Sequence, residues 1–557
     1  MKRKCKWLFW LSILLWIPPL FVSERAQASI QYNAPRTLVV YDSLNQANQS
    51  EEKVQLLVRL LTSLGQEVKL ENMEEYRSGE LKKGNYKAII TMINWPEMNF
   101  SNQAFYRDRA QFNGLKLHIG ANLTKEEQQS FGTSFQTIYQ QEYTLQDAKK
   151  YYSEGIGFKK QLELPKSLAK QTKVYSSLKT QEGEIYPYAI QNGKNGYLPF
   201  FDGRGASLLS TCEWLGEMYQ SKKHYIPYIT VLGYSPLDSP DLVPYIKKQF
   251  ANLENQILLV TRSTTQNTDL KAFHAYINTL KNYTMDGRII LYLDVPAVNT
   301  VDKTDNDLKT MLEQEVSTMI ENQLFPLGIA APTYWNNDKY YQQNALAMGK
   351  SVLLYQQNKH QMHHTLTSIN RAYTTTICAI DHERFDNVKW NLDGKYTDYT
   401  FPMPVALAYN YPTTKKAVRH IVQSVKDDAF PPNNNYMYEI DGGLTTTTQL
   451  LNNKDGIITL NGVPVTQINF DSRELKDVRR NVQANGKTKS ANGSKAKGIM
   501  GRLDNILIIV IVVTLIILTV LLIIGRRLYH QMFTKQNEAN REANRKRRRS
   551  RSKYGGE

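Results

Sequence analysis

Two histidines, His360 and His364, stand four residues apart, and on a helix that spacing projects both from one face, where their imidazoles can share a metal such as zinc. His363 lies beside them. The preceding Gln356-Gln357-Asn358-Lys359 and the Thr- and Ser-containing run that follows read equally as a polar surface segment, so ligation and plain solvation both stay open. Asp381-His382-Glu383 is a second polar cluster, and on composition it reads as a solvated loop. Aromatic side chains are the other chemical signal. Tyr334, Trp335, Tyr340 and Tyr341 gather in one short stretch, and Trp390, Tyr396, Tyr399 and Tyr409 in a later one. Such rings stack on the apolar faces of sugars while nearby polar groups take the hydroxyls. Core packing is the competing role, balanced for the first group and preferred for the second.

Elements must hold these residues in place, and the apolar pattern supplies them. Thr37-Leu38-Val39-Val40-Tyr41-Asp42 has the form of a buried strand, and Val54, Leu57, Leu60, Leu61 and Leu64 recur at helical spacing before Gly65 as a stop. With further apolar runs at 88–93 and 115–119, the pattern predicts a flavodoxin-like parallel-sheet domain over 36–145. It carries no Gly-x-Gly-x-x-Gly and no phosphate loop, so nothing marks it for nucleotides. Residues 146–223 are rich in Tyr, Gly, Lys and Ser and read as β-hairpins, followed by a helix from about 206. Over 224–445 apolar runs at 225–231, 257–260, 288–293, 327–332 and 351–355 alternate with helical stretches, the signature of a (β/α) barrel. A terminal hairpin region over 446–473 turns at Lys454-Asp455-Gly456.

The two ends concern location. Lys2, Arg3, Lys4 and Lys6, an apolar stretch, and Ala26-Gln27-Ala28 have the layout of a secretory signal over 1–28. Residues 474–503 read as a flexible stalk, and the apolar run within 504–525 is long enough to cross a hydrocarbon core of about 30 Å. Eleven basic residues against three acidic ones then fill the tail, 526–557, which places it in the cytoplasm and the N-terminus outside the cell. The tail thus holds much of the formal net charge of +17, which argues for anionic lipid headgroups as its partner and against nucleic acid. Once Cys5 leaves with the signal, Cys212 and Cys378 remain, enough for one disulfide but no disulfide framework. The sparse cysteines of an exported chain fit a bacterial surface protein.

Leu232-Gly233-Tyr234-Ser235-Pro236-Leu237-Asp238, then Leu258-Leu259-Val260 and Asn267-Thr268-Asp269-Leu270-Lys271-Ala272-Phe273, resemble an uncharacterised bacterial family related to polysaccharide deacetylases, within the NodB-type barrel superfamily. Leu327-Gly328-Ile329-Ala330-Ala331-Pro332-Thr333-Tyr334-Trp335 looks like that family's strand ending in a substrate-side aromatic turn. The resemblance covers roughly 224–360. It implies an irregular (β/α) barrel and a cell-surface or secreted polysaccharide as substrate class, with Tyr334, Trp335, Tyr340 and Tyr341 as the aromatic contacts. Active members hold a divalent metal with one Asp and two His, use an Asp base on the metal-bound water, and protonate the leaving amine with a His. Here the first acidic site offers Asp238 alone, and Asp294 stands where a His is expected. The chain therefore reads as a deacetylase-like protein that has lost catalysis and binds or guides a polysaccharide, alongside membrane glycan-synthesis proteins. An active deacetylase using Asp238 or Asp294 with metal on His360 and His364 is the alternative. A surface scaffold whose first domain binds a protein partner is a third.

Overall fold

The computed structural model describes residues 34–44, 49–97, 102–262, 270–284, 287–296, 307–356 and 368–470. The expected signal, stalk, membrane span and tail lie outside the described residues, as do His360, His363 and His364. Among the described residues no helix is long and apolar enough to cross a membrane.

Branched side chains suit a pleated surface, and in Thr37-Leu38-Val39-Val40 both faces are buried, giving strand β1 (Arg36–Tyr41). It runs parallel between β2 (Glu67–Asn72) and β3 (Ala88–Ile93), and β4 (Leu115–Gly120) extends the sheet beyond β3. Next come β5 (Phe135–Asp147), β6 (Tyr152–Pro165), β7 (Lys173–Thr180) and β8 (Ile185–Asn192), an antiparallel run. β9 (Asn195–Leu198) then returns beside β4 in parallel and joins the two halves into one sheet. The first helix, Ser50–Ser63, buries Val54, Leu57, Leu60 and Leu61. It stops where Gly65, at φ +77°, turns the chain towards β2.

The second half closes a barrel of seven parallel strands. It opens with β10 (Tyr228–Tyr234), β11 (Ile257–Arg262), β12 (Ile289–Asp294), β13 (Gly328–Pro332) and β14 (Ser351–Tyr355). β10 starts three residues after the apolar run does, because Pro227 cannot donate to a ladder and Tyr225 makes only an isolated bridge to Phe401. β15 (Ser368–Asn370) leaves the barrel to pair with β2, β16 (Thr375–Asp381) rejoins it, β17 (Lys389–Trp390) leaves again to pair with β6, and β18 (Val405–Asn410) closes it on β10. The first sheet is thereby extended to eleven strands, with a strand from the barrel segment at each edge. A small antiparallel sheet follows, β19 (Gly443–Thr445), β20 (Leu450–Lys454), β21 (Ile457–Leu460) and β22 (Val463–Pro464). Asp455 and Gly456, both at positive φ, turn β20 into β21.

Inside the barrel, alternation along each strand aims Tyr228, Leu258, Val260, Ile290, Tyr292, Ala330, Leu353, Ile377, Ala379, Ala406 and Ala408 into one core. Tyr292 fits because Gly328 stands opposite, where a Cβ would come within 2.1 Å of the ring. The N-terminal end is sealed by Tyr436, whose hydroxyl meets that of Tyr292, while Tyr292 also bonds Ser351 Oγ at 2.6 Å. Outside the barrel, the helix Ser50–Ser63 packs on β16 and on the turn Thr333–Asn337. One hydrophobic core runs without a break from Val39 and Leu57 through Cys212 and Trp214 to Cys378 and Phe401. Cys212 and Cys378 are free, buried thiols, so the disulfide that the sequence allowed is not formed.

Candidate functional site

With its floor sealed by Tyr436, the barrel has its C-terminal strand ends on the opposite side, the end where barrel enzymes and binders place their chemistry. Continuing the inward alternation to the strand ends gives Arg262, Asp294, Pro332, Tyr355, Asp381 and Asn410, with Leu232 just before the bulge in β10. The layers below are mainly apolar and this one is mainly polar, as suits a ligand-facing rim.

Asp294 is the rim's buried acid with a raised pKa. Tyr355 donates its hydroxyl to Asp294 Oδ1 at 2.9 Å. Burial pushes the Asp294 carboxyl up to about 7 from its ordinary 3.8, against the opposing pull of the Tyr355 hydroxyl, the Arg262 charge and the Val295 amide. The protein atoms around its carboxyl are dense, although the residue as a whole is only partly buried. Arg262 ends β11 opposite Asp294, and beside it β10 bulges between Leu232 and Tyr234. Gly233 at the bulge sits at φ +89°, with the guanidinium beside it.

A cavity of about 700 Å³ adjoins this rim, between the ends of β14, β16 and β18 and the helix Lys415–Lys426. Gln356, Asp381, His382, Tyr409, Tyr411 and His420 are among its walls. His382 stacks on Tyr409 with ring centres 5.0 Å apart, and its two nitrogens face Asp386 at 3.9 Å and Asp428 at 3.6 Å. The Tyr409 hydroxyl is buried and makes no hydrogen bond, and burial pushes its ionisation well up. Tyr411 is held from behind, its ring 4.7 Å from Tyr234 and its hydroxyl 3.1 Å from that of Tyr283. The wall is thus a fixed aromatic surface with carboxylates and imidazoles around it.

The sequence-predicted residues divide between this site and the core. Asp294 is in the mouth. Asp238 follows β10 and caps its own turn, accepting from the Ser235 amide at 2.7 Å. Trp335 and Tyr341 stack face to face at 4.4 Å and are only 5% and 4% exposed, so their ring faces are taken up by each other. Tyr334 and Tyr340 pack edge-on against that pair and keep part of their surface. Tyr399 is core, and the partly buried Trp390 packs on it with Tyr152 and Phe430. Asp381 and Glu383 are exposed, as a solvated segment would be, but Asp381 ends β16 rather than lying in a loop, and all three residues of Asp381-His382-Glu383 line the cavity. Among the described residues no group of three His, Cys, Asp or Glu side chains is placed to hold a metal. The donors described do not make up the expected set of one Asp and two His, and no step is derived through a metal.

Arg262, Tyr355, Asn410 and Tyr411 were not singled out from sequence. Their signal is positional: each ends, or directly follows, a strand whose inward residues are mainly apolar.

No family model matches the chain, and no curated protein does. Among solved structures, a putative ThuA-like protein from Parabacteroides merdae ATCC 43184 is similar to it at 11% identity and a TM-score of 0.21, over 30% of this chain and 79% of that one. At that score the likeness speaks to neither fold nor function.

Proposed function

We propose that this chain is an exported, membrane-anchored protein whose barrel mouth binds or guides a cell-surface polysaccharide without deacetylating it. One observation carries the reading: beside the C-terminal ends of the strands lies a cavity of about 700 Å³ lined by Tyr409, Tyr411 and His382, with Asp381 and Gln356 to meet hydroxyls. Fixed aromatic faces with polar groups around them fit sugar rings. The resemblance to polysaccharide deacetylase relatives, the signal-like segment and the apolar run at 504–525 support the same substrate class and an extracytoplasmic setting. The reading is tested by incubating the full chain with acetylated glycans and added zinc. No release of acetate is expected; metal-dependent release overturns the non-catalytic part of the proposal.

A second reading, that of an enzyme, is favoured by Asp294. A carboxyl that titrates near neutrality beside Tyr355 and Arg262 has the properties of a general acid or base. On that reading Asp294→Asn removes turnover of a bound glycan and leaves its affinity within a few fold. Equal turnover in the variant excludes it.

A further inference from the structure

We infer that Arg384 is a positioning residue through which the first sheet's helix sets the wall of the barrel cavity. The inference rests on the reading of that cavity as a ligand site.

Arg384 lies in the turn His382–Phe385 that follows β16, behind the cavity wall, with its side chain only 13% exposed. Its guanidinium collects groups from four places in the chain. Nη2 pairs with Glu52 of the helix Ser50–Ser63 and donates to Gln356 Oε1 at 2.6 Å, just past β14. Nη1 donates to the carbonyl of Gly203 at 2.7 Å, and Nε faces Asp381 Oδ2 at 3.8 Å. Two of these partners, Gln356 and Asp381, line the cavity, whereas Glu52 and Gly203 belong to the first half of the chain. Gly203 sits at φ +69°, a conformation that favours glycine, and this turn presents its carbonyl to Arg384.

The planar fork fixes direction as well as charge, and a lysine in its place offers a single point donor. Burial keeps water from replacing any one partner cheaply. A second contact runs parallel to this one, since Arg59 of the same helix is buried and donates to Thr333 Oγ1 at 3.0 Å, and Thr333 in turn donates to the Tyr355 carbonyl at 3.1 Å. Two arginines therefore tie this helix to the end of β14, one through Gln356 and one through Tyr355. The helix is part of the site although it does not line it.

The test uses the full chain and the variants Glu52→Gln, Arg384→Lys and Arg384→Ala. Amide hydrogen exchange over 381–386 is expected to quicken about tenfold in Glu52→Gln, as befits loss of one charge-assisted bond, while exchange in β11 and β12 stays unchanged. Arg384→Lys is expected to behave like Arg384→Ala at 381–386, because charge alone does not restore the fork. With chitin hexasaccharide as probe, all three variants are expected to weaken binding about tenfold. Unchanged exchange at 381–386 in Glu52→Gln, or full rescue by lysine, overturns the inference. A wild-type chain that binds no probe counts against the glycan reading alone, and the exchange result still decides the role of Arg384.

Discussion

Asp294 owes its high proton affinity to burial, so the fold favours its neutral form. Its folded value, about 7, lies above its ordinary 3.8, and the stabilisation from the protonated acid is complete below about 4 and lost as pH rises through 7. The melting temperature of the full chain is expected to fall across that window, and that of Asp294→Asn to fall less. Glu71 is also pushed up to about 7 by burial, so the difference between the two proteins isolates Asp294. Parallel pH slopes contradict the assignment. The aromatic cluster separates by the same kind of test. Trp335→Ala removes a buried, stacked ring and is expected to cost about 3–5 kcal/mol in denaturant unfolding. Tyr334→Ala, at a partly exposed ring, is expected to cost much less.

At the scale of elements, the bulge in β10 puts Gly233 alongside the Arg262 guanidinium at the mouth. Gly233→Ala places a side chain at φ +89° and is expected to cost about 1–2 kcal/mol while leaving the barrel closed. A circular dichroism spectrum unlike wild type would show that the glycine holds more than the bulge. Most strands were legible because a parallel strand buried on both faces is an uninterrupted apolar run, as in Leu38-Val39-Val40 or Leu258-Leu259-Val260. β16 and β18 were not read, and the reason bears on the site. Their inward residues include Ala379, Ala406 and Ala408, too small to stand out as a hydrophobic pattern. The same small side chains leave room at that side of the barrel, and Ala408 lines the cavity. With those strands unseen, Asp381-His382-Glu383 had no strand end to sit on and looked like loop. The crossings of β15 and β17 to the first sheet were beyond sequence too, since strands of three and two residues carry no period.

At the scale of the molecule, the described residues belong to one compact unit, and its core passes from the first sheet into the barrel. Strands from the barrel segment finish both edges of the sheet, and the sheet's first helix covers part of the barrel. Deleting residues 36–145 is therefore expected to leave no folded barrel, and heating the full chain to give one cooperative transition for this unit; two separated transitions contradict this. A scaffold role for the first sheet is better tested by single exposed substitutions than by deletion. The glycan-binding mouth remains the central claim, and binding of the full chain to a panel of bacterial and synthetic polysaccharides tests it most directly. The expected result is a bound glycan whose affinity falls at least about tenfold in both Tyr411→Ala and Asp381→Asn. A chain that binds no glycan on the panel, or one whose binding neither substitution changes, contradicts it.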